Sequence, residues 1–395
     1  MHQTNPPATR LSIFCKVVDN YGDIGICWRL ARQLAHEHLL QVELWVDDLS
    51  SFRRICPEVD MHAAHQTVQG IQIRHWQNQD GQFSTEEIAD IVIEFFACDI
   101  PPGYIQAMAQ CEPRPVWLNL EGLTAEEWVE GCHTLPSPHP SLPITKHFFF
   151  PGFTIKTGGL LCEAEIAPQR SHFQSDTVHS AAFLRGLGLT AEEISAQKIS
   201  LFCYPHAPVA ALLEVWQQQE QAITLLVPEG VAHTEISAFL GQPARAGAHL
   251  SRGALTVRVL PFIPQPDYDR LLWACDINFV RGEDSFVRAQ WACRPFIWHI
   301  YPQDENLHHK KLRAFLNAHQ PSLPAAQQLA LAWNGVTQGS VSDINWCRLW
   351  QDFVADQTEM SALSLRWQRK MAEIGDLATN LLQFAHAQAQ DRRQK

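Results

Sequence analysis

Two short segments of this 395-residue chain combine the residue types that chemistry needs, and each follows an apolar run. The first is DNYGDIG, Asp19 to Gly25, after LSIFCKVV. Gly22 permits a tight turn, and Asp23 stands where a helix would begin. A carboxylate there is either an N-cap accepting backbone hydrogen bonds or a general base at the carboxyl end of a strand. Position alone leaves both open. The glycines do not form GxGxxG, which counts against a dinucleotide-dependent oxidoreductase.

The second segment is NFVRGEDSFVRAQWA, Asn278 to Ala292. Gly282 lets the chain leave a strand, and Asp284 or Ser285 can cap the helix that follows. Exposed amides at such a helix start, with the Ser285 hydroxyl and the charge of Arg281, suit a diphosphate. Glu283 and Asp284 would repel a diphosphate, so they suit the hydroxyls of a ribose or a sugar. The alternative is an ordinary capped helix with surface carboxylates. Tyr204 ends SLFCY, Phe262 and Gln265 follow LTVRVL, and Tyr301 follows FIWHI. A ring there can stack on a pyrimidine while an amide reads its edge, although core packing is the commoner use of an aromatic. Asp267 and Asp269 resemble a DxD metal motif but directly precede the helix YDRLLWAC, so caps are expected and no metal is assigned. His299, His133, His139 and His147 lack metal-ligand spacing and read as structural or surface residues.

The elements that carry these residues follow from periodicity. Leu11 to Asp19 reads as a strand, ICWRLARQLAHEH as an amphipathic helix and Val42 to Val46 as a second strand, a βαβ opening. IQIRHW, ADIVIEFF and RPVWLNL are further strands. LPSPHPSLP, with four prolines in nine residues, and FFFPGFTIKTGG read as irregular. The pattern restarts near Ala181 with strands at QKISLFCY, QAITLLVP, LTVRVLPF, DINFV and PFIWHIY. From Trp346 the spacing is helical. The expected organisation is an α/β chain of the GT-B glycosyltransferase architecture, two Rossmann-like domains facing across a cleft. Residues 1–180 form the first domain, 181–360 the second, and 361–395 a helical segment returning to the first.

Bulk properties narrow the function. The net charge of −12, with no basic run beyond HHKK at His308–Lys311, gives nucleic-acid phosphates little to bind. An acidic surface favours a basic partner, or serves solubility alone. The eleven cysteines include no CxxC, so neither a zinc ribbon nor a redox dithiol is expected. Cys15, Cys98, Cys203 and Cys275 lie in apolar runs and read as packed thiols. No membrane-length apolar run or leader-like start is seen, so a cytoplasmic protein without membrane partners is expected.

Several segments together resemble the EarP family, protein-arginine rhamnosyltransferases acting on bacterial translation elongation factor P. They are DNYGDIGICWRLARQL, WLNLEGLTAEEWVEGCHTLPSPHP, FFFPGFT, LFCYP and INFVRGEDSFVRAQWACRPFIWHIYPQ, within residues 11 to 305. Gly122 departs from the pattern, where a tyrosine would be expected. The resemblance implies an inverting, metal-independent transfer of L-rhamnose from dTDP-β-L-rhamnose to an arginine side chain, with no cofactor. It implies that Asp23 is the base, supported by Asp19, and that Asn20, Tyr21 and Gly22 approach the sugar. Tyr204 and Gln265 match donor-binding positions, with Phe262 beside the thymine. Arg281, Gly282, Glu283, Asp284 and Ser285 match the diphosphate and sugar loop, Glu283 being a second acidic residue tied to activity. The competing readings are a GT-B transferase with a glycan or lipid acceptor, and a nucleotide-sugar-binding regulator without catalysis.

Overall fold

The computed structural model describes residues 9–19, 21–77, 81–336 and 344–394. The apolar runs of the first 150 residues become strands of one sheet. These are β1 (Arg10–Cys15), β2 (Gln41–Val46), β3 (His65–Val68), β4 (Ile71–His75), β5 (Ile91–Phe95), β6 (Val116–Leu120), β7 (Pro136–Pro138) and β8 (Thr145–Phe149). Their order is β3-β4-β2-β1-β5-β6-β8-β7. Only the edge strands β3 and β7 pair antiparallel. Central strands such as β1 and β5 are buried on both faces, which is why they read as unbroken apolar runs.

A second sheet holds β9 (Gln197–Leu201), β10 (Ile223–Pro228), β11 (His249–Arg252), β12 (Leu255–Leu260), β13 (Ile277–Arg281) and β14 (Phe296–His299). Its order is β11-β12-β10-β9-β13-β14, parallel except for β11. In each sheet the winding reverses once, between β1 and β5 in the first and between β9 and β13 in the second. Loops at the carboxyl ends of such strands diverge and leave an opening.

Contacts divide the chain into Met1–Ala164 with Met371–Lys395, and Glu165–Lys370. Residues 165–180 and 361–370 thus go with the second unit, against the boundaries at 180 and 360. The helix Ile166–Ser175 explains the first shift: Gln174 donates to the carbonyls of Trp273 and Ala292, and Phe173 packs on Trp273. Trp367 likewise donates to Gln290, 2.8 Å away.

Four local expectations are corrected. The first strand ends at Cys15, not Asp19, because the amides of Val17, Val18 and Asp19 turn to side-chain carboxylates. The proline-rich stretch is not wholly irregular, since β7 pairs with β8 at a sheet edge, where proline is tolerated. The helix expected at Tyr268 begins at Gln265, with Pro266 in its first turn. Asp267 and Asp269 therefore lie inside it rather than capping it; Asp267 pairs with Arg270 and the buried Asp269 with Arg288. All eleven cysteines are free.

The C-terminal helix Leu377–Gln394 closes the first unit through a glycine contact. The amide of Leu377 donates to the carbonyl of Leu160, 3.0 Å away. Gly159 just before it has φ +76, and a Cβ there would lie 2.4 Å from the carbonyl oxygen of Gly375. Gly159→Ala is expected to lower the urea midpoint, since the left-handed backbone alone costs about 1–2 kcal/mol and the helix must also shift. Limited proteolysis should then release the C-terminal helix sooner. An unchanged midpoint and digestion pattern would show that the contact does not hold it.

Candidate functional site

In the first unit, the loop after β1 runs straight into the helix Gly22–His36. That helix begins before Asp23, and its N-cap residue is Tyr21. Asp23 is therefore not an N-cap. Its Oδ2 instead accepts the amides of Val18 (2.7 Å) and Asp19 (2.8 Å). The carboxylate is 5 % exposed and pins the loop from inside. Gly22 leaves room for Asp19: a Cβ there would lie 2.8 Å from an Asp19 carboxylate oxygen, which would have to shift. Tyr21 accepts a hydrogen bond from Arg54, 2.6 Å away. Asn20 lies outside the described residues.

Burial raises the Asp23 pKa above the ordinary carboxylate value, against the two amides that lower it; the charges of Asp19 and Asp47 raise it further. Asp47 follows β2 and accepts the Val17 amide at 2.8 Å. Three carboxylates thus surround one turn at the carboxyl ends of β1 and β2. Such a corner attracts a cation and can take a proton from it.

In the second unit, the loops after β9, β12, β13 and β14 bring the remaining candidates together. Arg281, ending β13, donates from Nη1 to the carbonyl of Cys203 at 3.0 Å. Its guanidinium lies 4.3 Å from the Phe202 ring centre and 4.8 Å from that of Tyr204, a cation–π arrangement. Tyr204 lies beyond β9 rather than ending it, and meets Tyr301 edge-on at 5.7 Å. Gly282 takes φ +63, which frees the chain to turn into the helix Asp284–Trp291.

Neither Asp284 nor Ser285 caps that helix; its N-cap is Glu283, which makes no side-chain cap bond. The Ser285 hydroxyl accepts the Arg281 amide and donates to the Arg281 carbonyl, closing the loop on itself. Asp284 pairs with Arg288 at 2.8 Å and accepts from Gln265 at 3.4 Å. Arg288, 2 % exposed, also binds Asp269 at 2.6 Å. Phe262 stands 53 % exposed near the start of the Gln265 helix, and Tyr301 is 40 % exposed. Exposed rings beside a loop of amides and a guanidinium suit a nucleoside diphosphate.

Two residues that join these loops were not singled out for them in the sequence: Arg288, read only as part of a helix, and His299. The Arg288 signal was its spacing of four from Asp284. His299 carried none, because its partners come from distant segments. Among the described residues, one group could hold a metal: His172, Asp176 and His179, with ligand atoms within 4.8 Å of one another. They lie on helices that carry none of the candidate site residues.

The model of the family described as Elongation-Factor P (EF-P) rhamnosyltransferase EarP matches residues 11–386. A protein-arginine rhamnosyltransferase of Pseudomonas putida is 47% identical over 378 residues, covering 94% of this chain and 97% of that protein. One of Shewanella oneidensis is 39% identical, covering 96% and 98%. The solved structure described as "Structural basis for EarP-mediated arginine glycosylation of translation elongation factor EF-P" is 34% identical, with TM-score 0.64 and coverage of 96% and 99%. The glycosyltransferase VinC, solved with dTDP, shares only 11% identity but has TM-score 0.52 over 96% of this chain. The α/β fold is thus that of the GT-B glycosyltransferases.

The raised pKa of Asp23 has a consequence for stability. A group whose pKa is raised by folding stabilises the fold fully below its unfolded value, and that contribution is lost as pH climbs through the folded value. Asp23 therefore contributes less to the fold once the pH has climbed through its raised pKa than it does in acid. Asp23→Asn offers an amide oxygen to the same two N–H groups without the charge. Its thermal midpoint should gain on wild type as pH rises from about 4 to about 8, across carboxylate titration. A difference that stays constant or shrinks over that range would mean that Asp23 is not held up by burial.

Proposed function

This chain belongs to the EarP family, and from that premise we propose that it transfers L-rhamnose from dTDP-β-L-rhamnose to an arginine side chain of translation elongation factor P. The observation that carries the reading is the buried Asp23 carboxylate, held by two amides beside two further acids at the end of β1. Such a corner is suited to a guanidinium. A translation-factor acceptor implies the cytoplasm, and among the described residues no helix is long and apolar enough to cross a membrane.

A guanidinium is protonated at neutral pH and has no free lone pair, so arginine is a poor nucleophile. Asp23 would hold it through charge-assisted hydrogen bonds, localising its positive charge away from the attacking nitrogen so that an electron pair becomes available there. As that nitrogen bonds to the anomeric carbon, its proton passes to Asp23. The bond from carbon to the diphosphate oxygen breaks at the same time, and dTDP leaves with the electron pair. One displacement inverts the anomeric centre. Asp19 would orient Asp23, and Tyr21 and Gly22 would shape the approach to the sugar.

Arg281 and the amides of Glu283, Asp284 and Ser285 would stabilise the charge growing on the diphosphate. Glu283 and Asp284 would take the hydroxyls of sugar and ribose, while Tyr204, Phe262, Gln265 and Tyr301 frame the nucleoside. The displacement as written needs no metal or cofactor.

Incubating the chain with dTDP-β-L-rhamnose and unmodified elongation factor P should add one deoxyhexose to the acceptor mass and release dTDP. Asp23→Asn should bind dTDP as wild type does in calorimetry, yet transfer about 10²–10⁴-fold more slowly. Near-normal turnover would remove Asp23 as the base. Donor binding by wild type with no product on this acceptor would sink the proposed reaction.

A further inference from the structure

His299 is the last residue of β14 and is 1 % exposed. Its main chain lies opposite Arg281 in the sheet, and its carbonyl accepts the Gly282 amide at 3.1 Å. Its side chain reaches a different loop: Nδ1 accepts the amide of Tyr204 at 3.2 Å. One residue therefore bonds to both loops that flank the reversal of the second sheet.

The protonation state follows by elimination. A backbone amide can only donate, so His299 Nδ1 carries no hydrogen. Burial and neighbouring His206 and Arg281 hold the ring pKa down, to about 3, so the ring is neutral. Its hydrogen then sits on Nε2, which lies 3.0 Å from Nε2 of His206. That contact needs one hydrogen, which His299 supplies, so His206 accepts at Nε2 and carries its own hydrogen on Nδ1. The relay runs from Tyr204 N–H to His299 and on to His206.

A second buried histidine shows what packing alone looks like. His319 is 2 % exposed, lies among the rings of Phe296, Phe315 and Trp367, and neither of its ring nitrogens has a hydrogen-bond partner. His299 is built differently, with both nitrogens engaged.

We propose that His299 is a positioning residue for the nucleotide-sugar donor, its neutral Nε2–H tautomer tethering the Tyr204 loop to the Arg281–Gly282 loop. This rests on the reading that those loops hold the donor. The tether fixes where the Tyr204 ring and the Arg281 guanidinium lie, since Arg281 packs on that ring and donates to the Cys203 carbonyl beside it. The main-chain bond to Gly282 survives any side-chain change, so substitutions test only the two side-chain bonds, to Tyr204 and to His206.

Asparagine and glutamine separate the two halves of the ring. In His299→Asn, Oδ1 takes the place of Nδ1 and can still accept the Tyr204 amide. In His299→Gln, the amide sits at the ε position and reproduces only the link to His206. Calorimetry with dTDP should find His299→Asn within about threefold of wild type and His299→Gln weaker by about tenfold, the weight of one hydrogen bond. In transfer assays His299→Gln should raise the donor KM and leave kcat unchanged. Equal losses in the two variants, or a loss confined to kcat, would overturn the proposal.

Nitrogen-15 spectra of the wild-type imidazoles give a readout free of activity. His299 should be bare at Nδ1 and His206 bare at Nε2; the opposite tautomers would overturn the relay. Failure of wild type to bind dTDP would instead sink the donor reading, and the functional role with it, whatever the tautomers.

Discussion

The constraint on which both candidate sites depend is the single reversal of winding in each parallel sheet. Parallel strands require crossovers, and the crossovers leave both ends of the sheet roofed by loops. Only where the strand order reverses do neighbouring loops run apart, and backbone amides there meet solvent rather than another loop. Asp23 follows β1 at one reversal, and Tyr204 and Arg281 follow β9 and β13 at the other. Polar groups at these points can be desolvated by a ligand instead of by the fold.

What holds the loops differs between the units. In the first, a side chain satisfies main chain: Asp23 takes two amides that would otherwise point from a finished strand into nothing. In the second, the loops are held through strand ends, with the β14 side chain and main chain spanning them and Ser285 closing the turn. Gly22 and Gly282 serve unlike ends. A side chain at Gly22 would displace the Asp19 carboxylate, whereas Gly282 occupies the left-handed region.

Much of this was legible in the sequence because buried parallel strands are continuous apolar runs that polar loops interrupt. β2, β5, β10, β12 and β13 were read within a few residues of their bounds. β8 was not, since the prolines before it masked a strand whose neighbour β7 sits at an edge. The polar character of the Arg281–Ser285 turn was visible, but not the internal use of the Ser285 hydroxyl, which depends on the turn's closed geometry. Asp23 looked like a cap because caps are read from spacing, and a helix that starts two residues early makes the same aspartate a loop anchor. The Tyr204 amide that meets His299 is 95 residues away and Asp269, the second partner of Arg288 besides Asp284, is 19 away, separations that no local pattern encodes.

Charge is compensated in two ways in this chain. Arg258 meets Glu193 through two bonds of 2.9 Å, and Arg288 meets two aspartates; these buried charges are cancelled in place. Asp23 and Arg281 are treated otherwise. Among the described residues neither forms a salt bridge. Asp23 is held by amides, and Arg281 by a carbonyl and two ring faces. Dipoles and aromatic faces orient a charge without neutralising it, so its field remains for a ligand of opposite sign. A salt bridge would have held each side chain more firmly, but a ligand would then have to break it before binding. Burial raises the Asp23 pKa, and in the proposed reaction an arginine guanidinium would meet that carboxylate without first displacing a salt bridge.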